Sequence, residues 1–471
     1  MPAPRHPYYT VAPGRLAAES ARIRAVYTVA FETLGCRLNQ AETAILQNRF
    51  LAKGYALTGD PAEADLYVLH TCTLTAQSTA KCRRRLRQVI RQNPAACVAA
   101  IGCYAQTDAR ELARIAGVDF VVGTAEKLRL AEIIASPLKR PEAVVLNSAA
   151  PARTFAIAGE GHYPLHTRAN LKVQEGCDFV CAFCIIPRSR GRARSRDFGD
   201  IVREANALAS AGHREVVITG VNIGTYRESG RTLADVVSAL EDVAGIERIR
   251  ISSIEPTTVD DALIERMATG GKLCPYLHLP MQSGDSGVLE RMRRRYDARE
   301  YDRFLRSVLE RAPGIGLGTD VIVGFPGEDE AAFERSCDTV AEFPFVNVHV
   351  FSFSARPRTS AFAMGGRVPP AEVRRRSERL HRLALARKHE VYSSLVGREL
   401  RVLFETRAGD GTFTGFSDEY VKVRSAWPED LSNRFARVRV AGVELAGDGD
   451  RVFARGELLA VEPCAATGAG A

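Results

Sequence analysis

Three cysteines in the stretch EGCDFVCAFCIIPRSRGRARSR (Glu175–Arg196) stand close enough to share one metal centre: Cys177, Cys181 and Cys184, spaced CxxxCxxC. A zinc site, or an iron–sulfur site completed locally, takes four protein ligands. Only three thiolates converge here, and the nearest imidazoles (His162, His166 and His213) do not fall at a usual ligand spacing. Three thiolates on a cubane cluster leave one iron open, and an open iron can bind a substrate. The alternate arginines that follow, Arg188, Arg190, Arg192, Arg194 and Arg196, are too polar for the core of a zinc ribbon. The competing reading is a structural zinc knuckle or unligated core thiols.

A second set is spread over the first hundred residues. Cys36, Cys72 and Cys103 each sit one or two residues beyond the end of an expected strand, and Cys82 and Cys97 do not. The expected strands are Tyr27–Thr33, Leu66–Leu69, Cys97–Ile101 and Phe120–Val122, with helices at Gln40–Lys53 and about Ala76–Arg91. Strands alternating with helices predict a parallel α/β sheet, in which ligands gather at the carboxyl ends of the strands. Three cysteines at that edge should converge in space. The bland alternative is three separately buried thiols.

From Leu171 the chain repeats strand, polar or Gly-rich strand end, and helix six times. The expected strands are Leu171–Gln174, Glu215–Thr219, Arg248–Ser252, Tyr276–Leu279, Gly318–Val323 and Val346–Phe353. Six such units predict an open barrel with its site at the strands' C-terminal mouth. After the cysteine loop, that mouth carries Gly220-Val221-Asn222, Ser253-Ile254-Glu255-Pro256, Pro280-Met281-Gln282-Ser283-Gly284 and Gly324-Phe325-Pro326-Gly327-Glu328. Glu372–Leu395 reads as a long basic helix, a strut between domains. Short alternating runs from about Gly397 to Glu457 predict a small β-barrel.

The whole is therefore an α/β chain with these expected parts: a loose arm (1–24), a parallel-sheet domain (25–135), a linker (136–168), a (βα)6 barrel (169–395), a small β-barrel (396–458) and a tail (459–471). The length of 471 residues suits two to four domains. The formal charge of +8 suits a polyanionic partner. No run of 18 apolar residues predicts a membrane helix, and the first twenty residues lack the apolar stretch of a signal peptide. Eleven cysteines in an unexported chain point to thiolate ligation rather than disulfides.

CxxxCxxC followed by these mouth motifs resembles the radical S-adenosylmethionine superfamily. GCRLNQAE, HTCTLT, GCYAQ and DFVVGTAEK resemble the first domain of its methylthiotransferase family, and TGVNIG, SSIEP, HLPMQSG and TDVIVGFPGE resemble that family's radical domain. The last segment is similar to the TRAM domain, an RNA-binding barrel. The resemblance implies two 4Fe–4S clusters, a radical one on Cys177, Cys181 and Cys184 and a second on Cys36, Cys72 and Cys103. It implies S-adenosylmethionine as methyl donor and radical source, with Glu255 suited to ribose hydroxyls and Asn222 and Gln282 to the methionine part. Arg294, with Arg291 and Arg293, is a candidate for the cofactor carboxylate or for nucleic acid.

The implied substrate is an adenosine in a tRNA anticodon loop, where bases can be splayed out and read. TLGCRLNQAE is most similar to the branch acting on threonylcarbamoyladenosine. The isopentenyl branch more often has a GCQMN-type motif, and a sister family modifying a ribosomal-protein aspartate has GCPKN. Arg188 and Arg190 are possible partners for the threonylcarbamoyl carboxylate. Phosphate contacts are expected from Arg398, Arg401, Lys422 and Arg424 on one face of the last barrel, joined by the Arg374–Arg387 and Lys81–Arg91 helices. A flavodoxin- or ferredoxin-type reductant, a sulfur source and a cytoplasmic location are implied, with no membrane and no DNA as partner. The non-catalytic alternative is an iron–sulfur electron carrier or RNA-binding sensor.

Overall fold

The computed structural model describes residues 26–149, 154–157, 167–447 and 451–463. The expected N-terminal arm, His162, His166 and Cys464 lie outside the described residues.

The first domain is a six-stranded sheet built from β1 (Thr28–Thr33), β2 (Ala56–Thr58), β3 (Leu66–Thr71), β4 (Cys97–Gly102), β5 (Phe120–Val122) and β6 (Val144–Leu146), in the order β2-β1-β3-β4-β5-β6. Every pairing is parallel. β3 and β4 are buried along their whole length because both sheet faces are covered. Leu46 and Phe50 of the helix Arg37–Ala52 pack on Leu66, Val68 and Ala99 on one side. Cys82, Leu86 and Val89 of the helix Ala76–Gln92 pack on Tyr67, Leu69 and Val98 on the other. Strand β6 lies within the stretch expected to be a linker. Val144 starts a parallel pairing with Phe120, so this stretch extends the sheet.

Two short strands, β7 (Thr154–Phe155) and β9 (Gln174–Glu175), flank β10 (Arg194–Arg196) in a small sheet. The antiparallel pair β9–β10 pins both ends of the cysteine loop. The second domain continues with β8 (Arg168–Lys172), β11 (Glu215–Thr219), β12 (Arg248–Ile251), β13 (Tyr276–His278), β14 (Gly316–Val323) and β15 (Phe345–Ser352). They form the parallel triplets β8-β11-β12 and β13-β14-β15, joined by bridges between Ile249 and Leu273 and between Ser253 and His278. Six parallel units thus make the open barrel that the sequence pattern implies. Alternate residues such as Leu171, Ile218, Ile251 and Leu317 face the outer helices in one apolar core. The inner wall is polar, with Glu215, Arg248, Arg250 and His278 all buried.

The last domain is a closed barrel of β16 (Glu399–Arg407), β17 (Thr412–Ser417), β18 (Lys422–Ala426), β19 (Arg434–Ala446) and β20 (Arg451–Val461). The helix Pro370–Ser393 serves two cores: Leu380 is buried among the outer helices of the second domain, and Tyr392 in the last barrel. The turn between β17 and β18 enters the lower end of the (βα)6 barrel. Tyr420 stacks on Tyr276 at 4.6 Å, and Arg250 donates to the carbonyls of Ser417 and Asp418 at 3.0 Å. Arg248 reaches the Asp418 carboxylate at 2.9 Å, and Arg37 of the first domain donates to the Tyr420 hydroxyl. A side chain at Gly316 would collide with the Glu419 carbonyl, so the wall is bare where the turn enters. The last barrel is thus a plug in the second domain.

Glu215 is the counter-charge beneath that plug, 2.5 Å from Arg248 and 3.1 Å from Arg250, with all three side chains buried. Burial would raise its carboxyl, but Arg248, Arg250 and Arg168 overcome that and hold it down at about 2. Glu215→Gln is expected to cost about 3–5 kcal/mol at neutral pH, because it leaves buried arginines unpaired. The depressed pKa makes this contribution fully present above about pH 4.5 and lost as the pH falls towards about 2. Urea unfolding of both proteins across that range checks it, and equal stability at pH 7 would contradict it.

Candidate metal-cluster site

The loop that carries Cys177, Cys181 and Cys184 is fixed by backbone contacts. Cys177 N–H donates to the Gly191 carbonyl at 3.1 Å, and Ala182 N–H to the Met292 carbonyl at 2.8 Å. The Ala182 carbonyl accepts from Ala361 N–H at 2.8 Å. Gly176 makes the entry turn at φ +73°, where an added Cβ would stand 2.0 Å from the Arg192 carbonyl oxygen. All three thiols are partly accessible. Burial pushes the Cys184 thiol up to about 12 and raises that of Cys177, which Phe179 N–H partly counteracts. A metal must therefore displace protons from these sulfurs.

Three of the four expected cofactor residues meet this loop. Arg294 donates to both Glu255 oxygens, at 2.6 and 2.7 Å, and its other terminal nitrogen stands 3.3 Å from Cys181 Sγ. Burial works against the Arg294 cation, but Tyr296, Glu255 and Cys181 more than compensate. Asn222 lies beside Cys177. Gln282 stands on the neighbouring strand end at φ +66°, held by its N–H on the Asp320 carbonyl and its own carbonyl on Ile322 N–H. Such a strained non-glycine residue fits a binding mouth. Tyr296 was not singled out by the sequence pattern. Its hydroxyl accepts from Arg294 and donates to the Pro280 carbonyl at 2.5 Å, tying the arginine to the Gln282 loop.

The residues present fit a cluster with a polar ligand on its open iron. The loop offers three thiols, and its sequence carries no fourth ligand at a usual spacing. Two buried polar atoms beside it, Asn222 Nδ2 and Arg294 Nε, lack hydrogen-bond partners among the described residues. A cleft of about 500 Å³ opens alongside, lined by Phe179, Thr225, Arg227, Thr258 and Arg295, a size suited to a nucleoside-bearing cofactor.

The second cysteine set also converges. Cys36 precedes the helix after β1, Cys72 follows β3 and Cys103 follows β4, three neighbouring strands of one sheet. A Cβ on Gly35, at φ +113°, would stand 3.0 Å from Cys72 Cβ, so the chain at Cys36 runs against Cys72. This edge faces the second domain. Thr124 Oγ1 donates to the Ser189 carbonyl at 2.7 Å, and Arg356 to Thr73 Oγ1 at 2.9 Å.

Between the two sets lies the helix Ile186–Arg190, which follows Cys184 directly. Its Arg190 is 1% exposed and donates to Glu42 at 3.1 Å and to Glu175 at 2.8 Å. Lys127 and Lys172 complete the cluster, 2.8 and 2.7 Å from Glu42. Burial opposes the Arg190 cation, but Cys103, Glu42, Glu175 and Cys36 reinforce it more strongly. Both Arg190 terminal nitrogens are spent on protein partners, so it is not the substrate-carboxylate ligand expected above. Arg188 is exposed, with its Nε on the Arg358 carbonyl. Of the other alternate arginines, Arg196 is buried against Asp200 and Glu204, whereas the Arg192 side chain is 86% exposed.

Many of the residues expected to meet phosphate already have acidic partners. Arg401 pairs with Glu462 and Glu247, and Arg424 with Glu444 at 2.8 Å. Lys422 lies over the Phe453 ring, and Arg398 is exposed. On the long helix, Arg375, Arg376, Arg379 and Arg387 all pair with glutamates. Lys81, Arg84, Arg87 and Arg91 are different. They recur every three or four residues on the helix Ala76–Gln92, exposed and without acidic partners among the described residues.

The chain is similar to several known proteins. Residues 28–123 match the family described as Uncharacterized protein family UPF0004, and residues 171–340 match the Radical SAM superfamily. A threonylcarbamoyladenosine tRNA methylthiotransferase MtaB of Bacillus subtilis is 37% identical over 88% of this chain and 93% of its own. The protein of that name from Aquifex aeolicus is 38% identical over 80% and 92%. A tRNA-2-methylthio-N(6)-dimethylallyladenosine synthase of Ruegeria pomeroyi is 34% identical over 87% and 95%. In fold, the chain is similar to the radical S-adenosylmethionine methyltransferase TsrM of Kitasatospora setae, with a TM-score of 0.52, 15% identity and coverage of 71% and 77%.

Gly176→Ala is expected to collapse the entry turn and lower the iron content, if Cys177, Cys181 and Cys184 are ligands. Gly212→Ala is the control, since its φ is also positive (+89°) but its Cβ would meet nothing within 4 Å. Iron and sulfide analysis after anaerobic reconstitution reads the result. Wild-type iron content in Gly176→Ala would contradict it.

Proposed function

The chain belongs to the radical S-adenosylmethionine tRNA methylthiotransferase family, and we propose that it converts N6-threonylcarbamoyladenosine at position 37 of tRNA to its 2-methylthio derivative. It is an enzyme of that class, using a 4Fe–4S cluster and S-adenosylmethionine. The finer assignments are ours: the radical cluster on Cys177, Cys181 and Cys184, a second cluster on Cys36, Cys72 and Cys103, and Asn222, Glu255, Gln282 and Arg294 around the cofactor. The observation that carries this reading is the opposition of two three-cysteine sets across one short helix, each a residue short of a closed site.

When bound, the radical cluster supplies the electron that cleaves S-adenosylmethionine, and the second cluster supplies an open iron for sulfur. The chain's own residues hold the reactants. Arg190, packed between Glu42 and Glu175, fixes the first domain's cysteine edge against the cluster loop. That fixed geometry favours reaction at a single substrate carbon. Arg294 and Glu255 form a paired wall beside Cys181, where an arginine can meet a carboxylate and a carboxylate a ribose hydroxyl. Arg188 is an exposed cation near the cluster loop that suits the threonylcarbamoyl carboxylate. The unpaired stripe Lys81, Arg84, Arg87 and Arg91 suits tRNA phosphates, with Arg398 and Lys422 on the last barrel as further contacts and Arg401 and Arg424 available only if they exchange partners. A flavodoxin- or ferredoxin-type reductant and a separate sulfur source complete the cycle, in the cytoplasm. No helix among the described residues is long and apolar enough to cross a membrane.

Relatives named for the dimethylallyl substrate are nearly as similar as those named for threonylcarbamoyladenosine, so the substrate rests on TLGCRLNQAE and on the available cation. Reconstituted enzyme offered tRNA bearing each modification separately should give a methylthio nucleoside from the threonylcarbamoyl form, read by mass spectrometry. Product from the isopentenyl form alone would overturn the assignment.

A further inference from the structure

A second cluster of ligating side chains lies on the inner wall of the (βα)6 barrel, outside both three-cysteine sets. His278 of β13, Asp320 of β14 and His349 of β15 come from three adjacent parallel strands. Asp320 pairs with His349 in register, and Gly318, two residues earlier on the same face, pairs with His278. Asp320 Oδ1 stands 2.9 Å from His278 Nε2 and 3.0 Å from His349 Nδ1. One ligand atom from each residue lies within 4.8 Å of the others.

We propose that His278, Asp320 and His349 form a binding site for a divalent late first-row cation of the Zn2+ type, with open coordination positions for an oxygen ligand. Two imidazoles and one carboxylate are the donor set such ions take, and three protein ligands leave room for water or a substrate oxygen. The outer nitrogen of each imidazole is also held. Tyr276 Oη stands 3.3 Å from His278 Nδ1, and the Asn347 amide 2.7 Å from His349 Nε2. Metal binding requires each outer nitrogen to carry the proton and donate it. A hydroxyl can accept that bond, as can the amide turned to present its oxygen. The wall makes space for this second layer: a Cβ at Gly318 would lie 2.3 Å from Tyr276 Oη and 2.6 Å from His278 Nδ1.

Access and rigidity suit the same occupant. The His278, Asp320 and His349 side chains are 9%, 22% and 50% exposed, so the site opens on the His349 side. All three ligands sit on strands, which hold a metal geometry better than loops do. The site is coupled to the cofactor mouth by backbone, since the Asp320 carbonyl accepts from Gln282 N–H at 2.8 Å. A metal here would stiffen the strand end that carries Gln282.

The test uses the reconstituted holoenzyme with Zn2+ as the probe, followed by calorimetric titration and elemental analysis, with iron as internal standard. One Zn2+ per chain is expected. Asp320→Asn and His349→Ala should lose it at unchanged iron content, and Asn347→Ala should bind roughly 10- to 100-fold more weakly, as loss of an outer-layer partner does. His349→Ala, at the exposed edge, carries the test if Asp320→Asn loses iron as well. Absence of Zn2+ from the wild-type enzyme, or equal affinity in His349→Ala, would overturn the proposal.

Discussion

Glu42 and Glu175 are buried together with Lys127, Lys172 and Arg190 in the seam between the first two domains, every ion pair within 3.4 Å. Arg194 also reaches Glu175 at 3.3 Å from the edge of the seam, so cations outnumber the two carboxylates and positive charge is in excess. His70, beside Glu42, adds none, since burial pushes its imidazole down to about 3. Any member left alone in that seam would cost several kcal/mol to desolvate, so the arrangement closes only when all are present. The excess charge lies beside Cys36 and Cys103, where iron-bound thiolates would add negative charge. Domain docking and the charge of the cysteine edge are therefore one problem with one solution. The cluster loop inherits its position from it, because Glu175 and Arg190 bracket Cys177, Cys181 and Cys184 in sequence.

The same economy governs the other end of the molecule. Arg248 and Arg250 are buried under the last barrel, and that barrel's turn at Phe416–Tyr420 supplies the carbonyls and the aromatic ring that make their burial tolerable. Arginines that neutralise glutamates inside the protein are not free for phosphate. The helix Pro370–Ser393 acts as a strut because Leu380 and Tyr392 anchor it in two cores, while four of its arginines pair with glutamates and Arg374 and Arg382 stay exposed.

Much of the plan was legible in the sequence. The spacing of Cys177, Cys181 and Cys184 is local, so one loop decides it. Cys36, Cys72 and Cys103 could be grouped because each follows a strand, and parallel strands share one carboxyl edge. Six strand-helix units read directly as the open barrel. The illegible part is long-range pairing. Arg190 stands in a run of five alternate arginines and was expected at the substrate carboxylate, and only the fold brings it to Glu42, 148 residues away in the chain. Strand β6 was missed because a three-residue edge strand is too short to show a period. Strand β20 pairs with β19 and β18 and closes the last barrel, a long-range role that short alternating runs do not reveal. His278, Asp320 and His349 lie on three strands with no shared sequence signature.

The central claim is that two cysteine sets of the same size do different work on either side of the Arg190 seam. Removing one ligand from each set separates them. Cys181→Ala should form neither 5′-deoxyadenosine nor methylthio product. Cys72→Ala should still cleave some S-adenosylmethionine to 5′-deoxyadenosine under anaerobic reduction, yet yield no methylthio nucleoside in tRNA. A methylthio product from Cys72→Ala would contradict the account.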